Sequence, residues 1–456
     1  MRRMTSTRST SLACLALAGL CGLAGCDLDV EDLNNPGLDE LSENPTPSGI
    51  NAACTGLIIG NRAGTAAANG YVSQLGILGR ESYNFDAADP RYVGELLAGP
   101  LNPGSPFGGN FWAAPYANIR LAEIILDGVD RVAEFEGEPA SAIKGFVHTI
   151  KALDLLRVIT TRDTIGAVID TDNEGVDDLG AIASKDDVYA EIASLLDQGA
   201  EELAAGGEAF TFPLSSGYAG FDTPATFRTF NRAIRARVAV YMEDYDTALT
   251  ALEESFIDPA GSLDTGVYHA YSTGSGDATN GLTNPNIYAH PSVVADAQEG
   301  DTRVETKVVQ VPEEEAGGAQ GLTSDRKFTM YTSPEAPVPI IRNEELILLR
   351  AEAHWGNGDL DLAVADLDIV RTAAGLDPLG ASPTAAEIED EILYNRRYSL
   401  LFEGGHRWID LRRFGRLDEL PIDLDGLVIN VRYPLPSAEC DARPGEPACG
   451  QSSLDG

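Results

Sequence analysis

The strongest constraint on the fold is a joint that occurs twice between neighbouring amphipathic segments. The first joint links residues 226–242 to 245–256, and the second links residues 344–355 to 360–374. Each joint has an Asp, then a large apolar residue, then an Ala three positions later: Asp244, Tyr245 and Ala248 in one, Asp359, Leu360 and Ala363 in the other. The large residue can fill the gap between two helices, and the Ala lets them approach. This is the helical hairpin typical of tetratricopeptide repeats.

Four further segments have apolar residues at helical spacing, which predicts amphipathic helices. They are Ala117–Val132, Ser141–Ile159, Asp186–Leu203 and Pro383–Phe402. Ser184 and Thr384 stand where N-cap residues are expected, and acidic residues follow in the first turn of the Asp186 helix. The two hairpins are too far apart in the chain for a regular repeat array, so they belong to a larger fold.

Long irregular stretches separate the helical segments. They cover residues 78–112, 160–183, 257–340 and 419–456 and are rich in Gly, Asn, Asp, Thr, Pro and Tyr. Loops longer than about 12–15 residues are uncommon unless they carry function. Short strands are expected only at Lys307–Val311 and Leu427–Val431. The sequence therefore predicts a mainly α fold with tetratricopeptide-like helical hairpins, long irregular loops and a few short strands.

The N-terminus has the pattern of an export signal. A basic start is followed by an apolar run over residues 12–25, which is shorter than the ~20 residues that a membrane-spanning helix needs. Residues 23–26 read Leu-Ala-Gly-Cys, a bacterial lipobox, although an ordinary signal peptide could also contain such a Cys. The pattern predicts a lipoprotein signal peptide over residues 1–25 and acyl chains, palmitate among them, on Cys26. An acidic lipidated tether (26–50) and a binding domain (51–456, with parts 51–220 and 221–456) follow.

The net charge and the cysteines indicate which classes of binding partner and which cellular compartment fit this chain. The chain has 32 Lys and Arg against 71 Asp and Glu, a net charge of −39. This charge argues against nucleic-acid binding and against docking on anionic lipid through a basic face. Cys440 and Cys449 flank a turn-rich segment, so a disulfide between them is expected in an oxidising compartment. Cys54 would then be a small buried apolar residue.

Catalytic and metal-binding signatures are scarce. The sequence has no HExxH, GxSxG or Walker motif, and one carboxylate pair among 71 acids carries no information. We therefore expect no enzyme, no metal and no cofactor. The acidic loop over residues 170–178 imitates a calcium loop, but Ala181 stands where such a loop has Glu. A solvated loop is favoured there, and bound calcium is left open.

Aromatic residues in the long loops are the best lead to a ligand. Flat aromatic faces beside planar hydrogen-bonding groups suit sugar rings. The candidate ligand-binding residues are Tyr83, Asn84, Tyr92, Phe107 and Tyr288. The alternative is that these aromatics pin the loops to the helical body.

Four motifs between Pro337 and Pro436 and just beyond carry a family resemblance. They are Pro339–Ala353, Val370–Leu376, Asn395–Arg413 and Tyr433–Glu439. In this order and spacing they resemble the SusD/RagB family of outer-membrane nutrient-binding lipoproteins. The N-terminal half resembles the family more weakly, through Trp112-x3-Tyr116-x2-Ile119 and the helix after it. The chain departs from the family at Asn395, where Glu is usual, and in its Cys440–Cys449 ending.

The resemblance implies a function without chemistry. A lipoprotein of this family is anchored in the outer membrane facing outside, captures oligosaccharide or peptide, and passes it to a SusC-like TonB-dependent transporter. Two alternatives remain: a tetratricopeptide-like scaffold for envelope assembly and a lipid-anchored glycosidase. Near the end of the chain, six charged residues are predicted to form a structural ion network around a buried Trp408: Arg396, Glu403, Arg407, Asp410, Arg412 and Arg413.

Overall fold

The computed structural model of the chain describes residues 38–172, 179–380 and 382–455. The predicted signal peptide, Cys26 and the first part of the tether lie outside the described residues. So does most of the acidic loop, from Asn173 to Asp178.

Sixteen α-helices lie in the described part of the chain. They are α1 (Leu38–Glu43), α2 (Pro47–Arg62), α3 (Tyr71–Leu78), α4 (Arg91–Gly94), α5 (Ala113–Val129), α6 (Glu138–Arg162), α7 (Lys185–Ala204), α8 (Pro224–Tyr241), α9 (Tyr245–Glu253), α10 (Ser292–Ala295), α11 (Thr302–Lys307), α12 (Asn343–Gly356), α13 (Leu360–Ala373), α14 (Ala385–Ser399), α15 (His406–Arg413) and α16 (Ser437–Ala442). All the predicted helices are present, with ends shifted by a few residues, and the mainly α prediction is confirmed.

Each long helix packs on the next one in the chain. Helices α5, α6, α7, α8 and α9 form one such series, and α12, α13, α14 and α15 continue it, with α9 packed on α12. Helix α6 lies at the centre of the first series, and nearly every residue from Ala142 to Arg162 is buried. An amphipathic helix has one apolar face, whereas neighbours cover α6 on several sides. Its buried residues therefore include polar ones, such as Lys151 and Asp154, which need partners inside the fold.

The two predicted hairpins stack on each other. Ala248 and Ala363 are fully buried where the helices of each hairpin approach. The ring of Tyr245, from the first joint, lies flat against Gly356 at the end of α12. A Cβ at position 356 would come within 2.1 Å of that ring. Tyr245 of the first hairpin therefore packs against the second hairpin, and only a glycine at position 356 leaves room for its ring.

Two helix starts follow the capping chemistry expected from the sequence. The Ser184 hydroxyl accepts a hydrogen bond from the backbone N–H of Asp187 at 3.2 Å. At the start of α14, Thr384 and Glu387 form a reciprocal capping box, with the Thr384 N–H donating to the Glu387 carboxylate at 2.7 Å. Each cap satisfies backbone N–H groups that the first helical turn leaves without partners.

The strands are short and come together from distant parts of the chain. Five two-stranded antiparallel sheets occur among the described residues. They pair β1 (Ser82–Asn84) with β5 (Ile287–Ala289), β2 (Ala167–Val168) with β3 (Ile182–Ala183), β4 (Gly266–His269) with β10 (Val338–Arg342), β6 (Val308–Gln310) with β9 (Arg326–Phe328), and β7 (Gly317–Ala319) with β8 (Leu322–Ser324).

Of the two predicted strands, one is confirmed and the other is wrong. Strand β6 lies within the predicted Lys307–Val311. The segment Leu427–Val431 runs without forming a strand. Its backbone groups bind separate partners: Val428 donates to the Leu97 carbonyl at 2.7 Å, and Val431 donates to the Ser453 carbonyl at 2.8 Å. A short apolar run rich in β-branched residues suited a strand, but no single neighbouring strand pairs with it.

The C-terminal segment completes the core that the N-terminal helices begin. Tyr433 is fully buried. Its hydroxyl donates a hydrogen bond to Gln74 Oε1 at 3.0 Å, and its backbone N–H donates to the Thr161 carbonyl at 2.8 Å. Trp408 is also fully buried, as predicted, and its indole N–H donates to the Asn430 carbonyl at 2.8 Å. Beyond them, Cys440 and Cys449 form a disulfide.

The predicted ion network is present only in part: Arg396 and Arg413 pair with Asp410 inside the predicted set, whereas Glu403 and Arg412 pair with residues outside it. Arg396 and Arg413 both bind Asp410, at 2.7 and 3.0 Å, and Arg413 also binds Glu352 at 2.9 Å. Glu403 pairs with Arg342 at 3.0 Å. Arg412 lies 3.6 Å from Asp163. Arg407 forms none of these pairs, and its surroundings are described below.

None of the helices in the described ranges is long and apolar enough to cross a lipid bilayer.

Candidate functional site

The structure brings three of the five candidate ligand-binding residues together. Strands β1 and β5 place Tyr83 opposite Tyr288, with Asn84 next to Tyr83. Tyr92 and Phe107 form a separate edge-to-face pair, with ring centroids 5.0 Å apart. The prediction therefore corresponds to two aromatic clusters instead of one continuous surface.

All five of these residues are buried. Their exposed fractions run from 1% for Phe107 to 8% for Tyr288. Tyr83 donates to Asp423 at 2.8 Å, and Tyr288 donates to the Glu315 carbonyl at 2.9 Å. Such burial fits the alternative in which these rings hold the loops on the helical body. Their contact with a ligand stays a prediction.

A polar cavity at the centre of the molecule is too small for a sugar. Its volume is about 90 Å³, and its lining includes Tyr71, Arg157, His269, Glu403 and His406. At ~30 Å³ per molecule it has room for about three waters. Polar groups of this kind hold buried water well, so we assign this cavity to internal solvation.

A groove on the surface has the residue types that ligand recognition needs. It has a volume of about 320 Å³ and lies between the start of α5, the segment after β2, and α16. Its lining is Trp112, Ala113, Tyr116, Arg120, Val168, Asp170, Thr171, Leu179, Gly180, Glu439 and Arg443. Aromatic rings, two carboxylates and two guanidinium groups therefore meet in one concave surface.

The aromatic part of the groove comes from helical spacing. Trp112 precedes α5 and Tyr116 lies four residues later, so both side chains fall on one face of the helix start. Their ring centroids are 4.8 Å apart. The Tyr116 hydroxyl donates to the Val168 carbonyl at 2.9 Å and accepts from the Val168 N–H at 2.6 Å. Burial raises the pKa of Tyr116, so the hydroxyl stays neutral and holds the wall of the groove.

The charged part of the groove is a carboxylate held between two donors. Glu439 accepts from the Trp112 indole N–H at 3.1 Å and from Arg443 Nε at 2.6 Å. Arg443 also donates to the Gly180 carbonyl at 2.6 Å, which joins α16 to the segment after β2. Arg120 and Asp170 are exposed at the rim. The groove thus offers fixed acceptors and donors beside an aromatic pair.

No metal site is found in the groove or elsewhere in the described residues. Within those residues, no three His, Cys, Asp or Glu side chains are placed to hold an ion together. The acidic loop that imitates a calcium site lies mostly outside the described ranges, so the calcium hypothesis stays a prediction.

Comparison with known proteins relates the chain to one family. The SusD family model matches residues 319–442. No curated protein sequence matches the chain. A SusD superfamily protein from Bacteroides vulgatus superposes with a TM-score of 0.65 at 15% identity, covering 89% of this chain and 98% of its own.

Two further solved structures have the same fold. A SusD-like carbohydrate binding protein from Bacteroides fragilis gives a TM-score of 0.68 at 12% identity, covering 87% of this chain and 98% of its own. A laminarin binding SusD-like protein gives 0.60 at 18% identity, covering 86% and 96%. Residues 319–442 therefore match the SusD family in sequence, and the chain as a whole has the fold of SusD-like proteins.

The groove lies partly inside and partly beyond the segment that matches the SusD family. Glu439 and Cys440 fall within residues 319–442, whereas Arg443 and Cys449 follow the end of the match. The disulfide closes a loop that begins directly after Glu439. One residue of the groove wall, Arg443, therefore lies beyond the matched segment.

Sequence reasoning missed most of the groove. Trp112 and Tyr116 were noticed only as a helix-start motif, and Arg120, Asp170, Glu439 and Arg443 were not selected. The sequence did contain one signal. The charged residues Glu439 and Arg443 lie close to Cys440, and a disulfide restrains the residues near it. Nothing in the sequence indicated that these residues face α5, which is more than 300 positions away.

Proposed function

We propose that this chain is a non-catalytic lipoprotein that binds oligosaccharide in the groove between Trp112 and Glu439. The observation that carries the proposal is the aromatic pair beside a carboxylate and guanidinium groups. A sugar ring offers apolar C–H faces to aromatic rings and hydroxyls to planar charged groups. The carbohydrate and laminarin binding described for two proteins of the same fold supports oligosaccharide over peptide.

The proposal also includes the location of the protein in the cell and the transporter that it serves. The lipobox at Cys26 would anchor the protein in the outer membrane after removal of residues 1–25, and residues 26–50 would tether the binding domain (51–456) on the outside. Several acyl chains at ~0.8 kcal/mol per buried CH₂ give a stable anchor. The bound sugar would then pass to a SusC-like TonB-dependent transporter. Surface labelling of cells carrying wild type or Cys26→Ser, with co-purification of a large β-barrel protein, tests this part.

Titration with laminarin, a starch oligosaccharide and a peptide mixture tests the groove. We expect Trp112→Ala and Glu439→Gln to weaken sugar binding by about tenfold or more, a loss of at least ~1.4 kcal/mol. Trp355→Ala is the matched control, because Trp355 lies at the end of a helical hairpin, outside the groove. Unchanged sugar binding in both groove variants would refute this site.

The same experiments separate the proposal from its alternatives. Sugar turnover by the pure protein would indicate a glycosidase. Several periplasmic partners and no affinity for any sugar or peptide would indicate the envelope scaffold.

A further inference from the structure

A second pocket lies at the other side of the C-terminal helices, between α14 and α15. Its volume is about 280 Å³. Helix α14 contributes Leu393, Tyr394 and Arg397, which share a face at helical spacing, and α15 contributes Arg407 and Leu411. A third arginine, Arg416, also lines the pocket, so apolar side chains and three guanidinium groups meet there.

The carboxylates around this pocket already have cationic partners. Asp410 is bound by Arg396 at 2.7 Å and by Arg413 at 3.0 Å. Asp390 and Glu419, which also line the pocket, are both paired with Arg416, Asp390 at 2.7 Å. None of these acids contacts Arg407.

Arg407 is a buried cation without a counterion. Only 8% of the residue is exposed. Its one hydrogen bond goes from Nη1 to the Arg80 carbonyl at 3.3 Å, and no carboxylate of the described ranges lies within 4.0 Å. Burial, with repulsion from Arg397, lowers the pKa of Arg407. A buried charge destabilises the folded state unless an opposite charge or hydrogen bonds compensate its lost hydration.

The nearest buried acid does not fully compensate Arg407. Glu81 is completely buried, and one of its carboxylate oxygens has no hydrogen-bond partner among the described residues. Burial raises the pKa of Glu81 far above its usual range, in spite of the attraction of Arg407. Burial therefore favours the neutral form of Glu81, which weakens it as a counterion for Arg407.

Arg397 provides a second donor without a partner. Its Nη1 donates to Asp296 and its Nη2 to Ser292, each at 2.9 Å. Its Nε–H is buried and has no acceptor in the part of the chain that the structure describes. A buried donor left in this way costs about 1–3 kcal/mol. Of the arginines that line the pocket, Arg407 therefore has no carboxylate partner among the described residues, and Arg397 keeps one buried N–H without an acceptor there.

We propose that this pocket binds an oxyanion, the carboxylate or sulfate group of a small ligand, through Arg407 with support from Arg397. Guanidinium groups bind such groups through charge-assisted, often bidentate hydrogen bonds. Leu393 and Tyr394 would contact the rest of a ligand about the size of one sugar ring. The proposal concerns a different surface from the Trp112 groove and does not depend on it.

Calorimetric titration of the full mature protein at constant ionic strength tests the pocket. The probes are glucuronate, glucose as its neutral counterpart, and sulfate as an oxyanion without a ring. We expect glucuronate and sulfate to bind and glucose not to bind. Arg407→Gln should remove glucuronate binding, and Arg407→Lys should weaken it by about tenfold because bidentate geometry is lost. Arg131→Gln, at an exposed ion pair on α5, is the control.

Two further results complete the test. If Arg407→Gln fails to fold, Leu393→Trp fills the pocket while keeping both arginines and should abolish glucuronate binding. Equal binding of glucose and glucuronate, no binding of either oxyanion, or unchanged glucuronate binding in folded Arg407→Gln would overturn the proposal. Loss of groove binding in Trp112→Ala has no bearing on these results.

Discussion

Asp154 is a fully buried carboxylate that the fold satisfies with amides instead of a cation. It lies on α6 and accepts hydrogen bonds from Asn61 at 2.8 Å and from Asn118 at 2.6 Å. Burial raises its pKa to about 6, against an ordinary value of 3.8. The amides reduce the cost of the buried charge but do not remove it.

This burial predicts a pH dependence of stability. The folded state binds the Asp154 proton more tightly than the unfolded state, so its contribution is fully present below pH ~4 and is lost as the pH rises through about 6. Relative to Asp154→Asn, the wild type should lose up to about 3 kcal/mol of unfolding free energy between pH 4 and 7. Urea unfolding measures it, with exposed Asp222→Asn as control. A pH-independent difference would contradict the prediction.

The buried pair Arg396–Asp410 predicts a large effect of a single substitution. Arg396 is fully buried, and its Nε lies 2.7 Å from Asp410. Arg396→Ala leaves a buried carboxylate with one partner fewer, so we expect a loss of about 3–5 kcal/mol in unfolding free energy. Arg131→Ala breaks an exposed pair with Asp127 and should cost less than about 1 kcal/mol. Similar losses in both variants would show that burial does not determine the cost.

At the residue scale, the sequence predicted burial better than contact. Trp408 and Cys54 were expected in the core and lie there. The loop aromatics have residue types that suit both a sugar and a core, and only the tertiary fold separates the two. The pairing of Tyr83 with Tyr288 could not be derived, because it depends on two three-residue strands more than 200 positions apart.

At the scale of one element, the capping box at the start of α14 predicts a local stability effect. Thr384→Ala removes the acceptor for the Glu387 N–H and leaves that donor without its protein partner. We expect a loss of about 1 kcal/mol in unfolding free energy. Thr332→Ala, at an exposed loop position, is the control and should have little effect. Equal effects of the two substitutions would argue against a capping role.

The disulfide of the C-terminal segment predicts a second local effect. The double substitution Cys440→Ser and Cys449→Ser opens a short loop. Because the unfolded chain then gains conformational entropy, the free energy of unfolding should fall by about 2–3 kcal/mol. Hydrogen exchange in residues 437–455 should become faster, and sugar binding in the groove should weaken because Glu439 and Arg443 lose their support. Reduction of the wild type should reproduce both changes, whereas Cys54→Ser should not. Unchanged exchange would show that the segment is held by packing alone.

Helices were predictable and strands were not, for a physical reason. A helix makes its hydrogen bonds within one segment, so apolar spacing and caps such as Thr384 and Ser184 are visible locally. A strand needs a partner, and β6 has one while residues 427–431 do not. Both segments are short and rich in β-branched residues, so the local signal was the same in both places.

For the whole molecule, the net charge of −39 predicts a dependence on salt. Like charges repel in the compact state, and salt screens exposed charges more than buried pairs. The melting temperature should therefore rise as NaCl is added from low ionic strength, by about 1 °C for each kcal/mol of repulsion removed. An equal osmolarity of sucrose is the control. A melting temperature that falls with NaCl would mean that exposed ion pairs outweigh the repulsion.

The fold of the whole molecule was accessible from the sequence because two hairpins and four C-terminal motifs pointed to the same architecture. The ligand site was not, because it is assembled from α5, the segment after β2 and α16. Each of these segments looks ordinary alone. A site composed of remote segments leaves no spacing pattern in the sequence.

The burial of Tyr433 between early helices has a consequence for biosynthesis. The residue binds Gln74 and Thr161, and the neighbouring Val428 carbonyl accepts from Arg80. A ribosome must therefore make almost the entire polypeptide before these early helices find their last neighbours. Until then the growing chain cannot complete the core around Gln74 and Thr161.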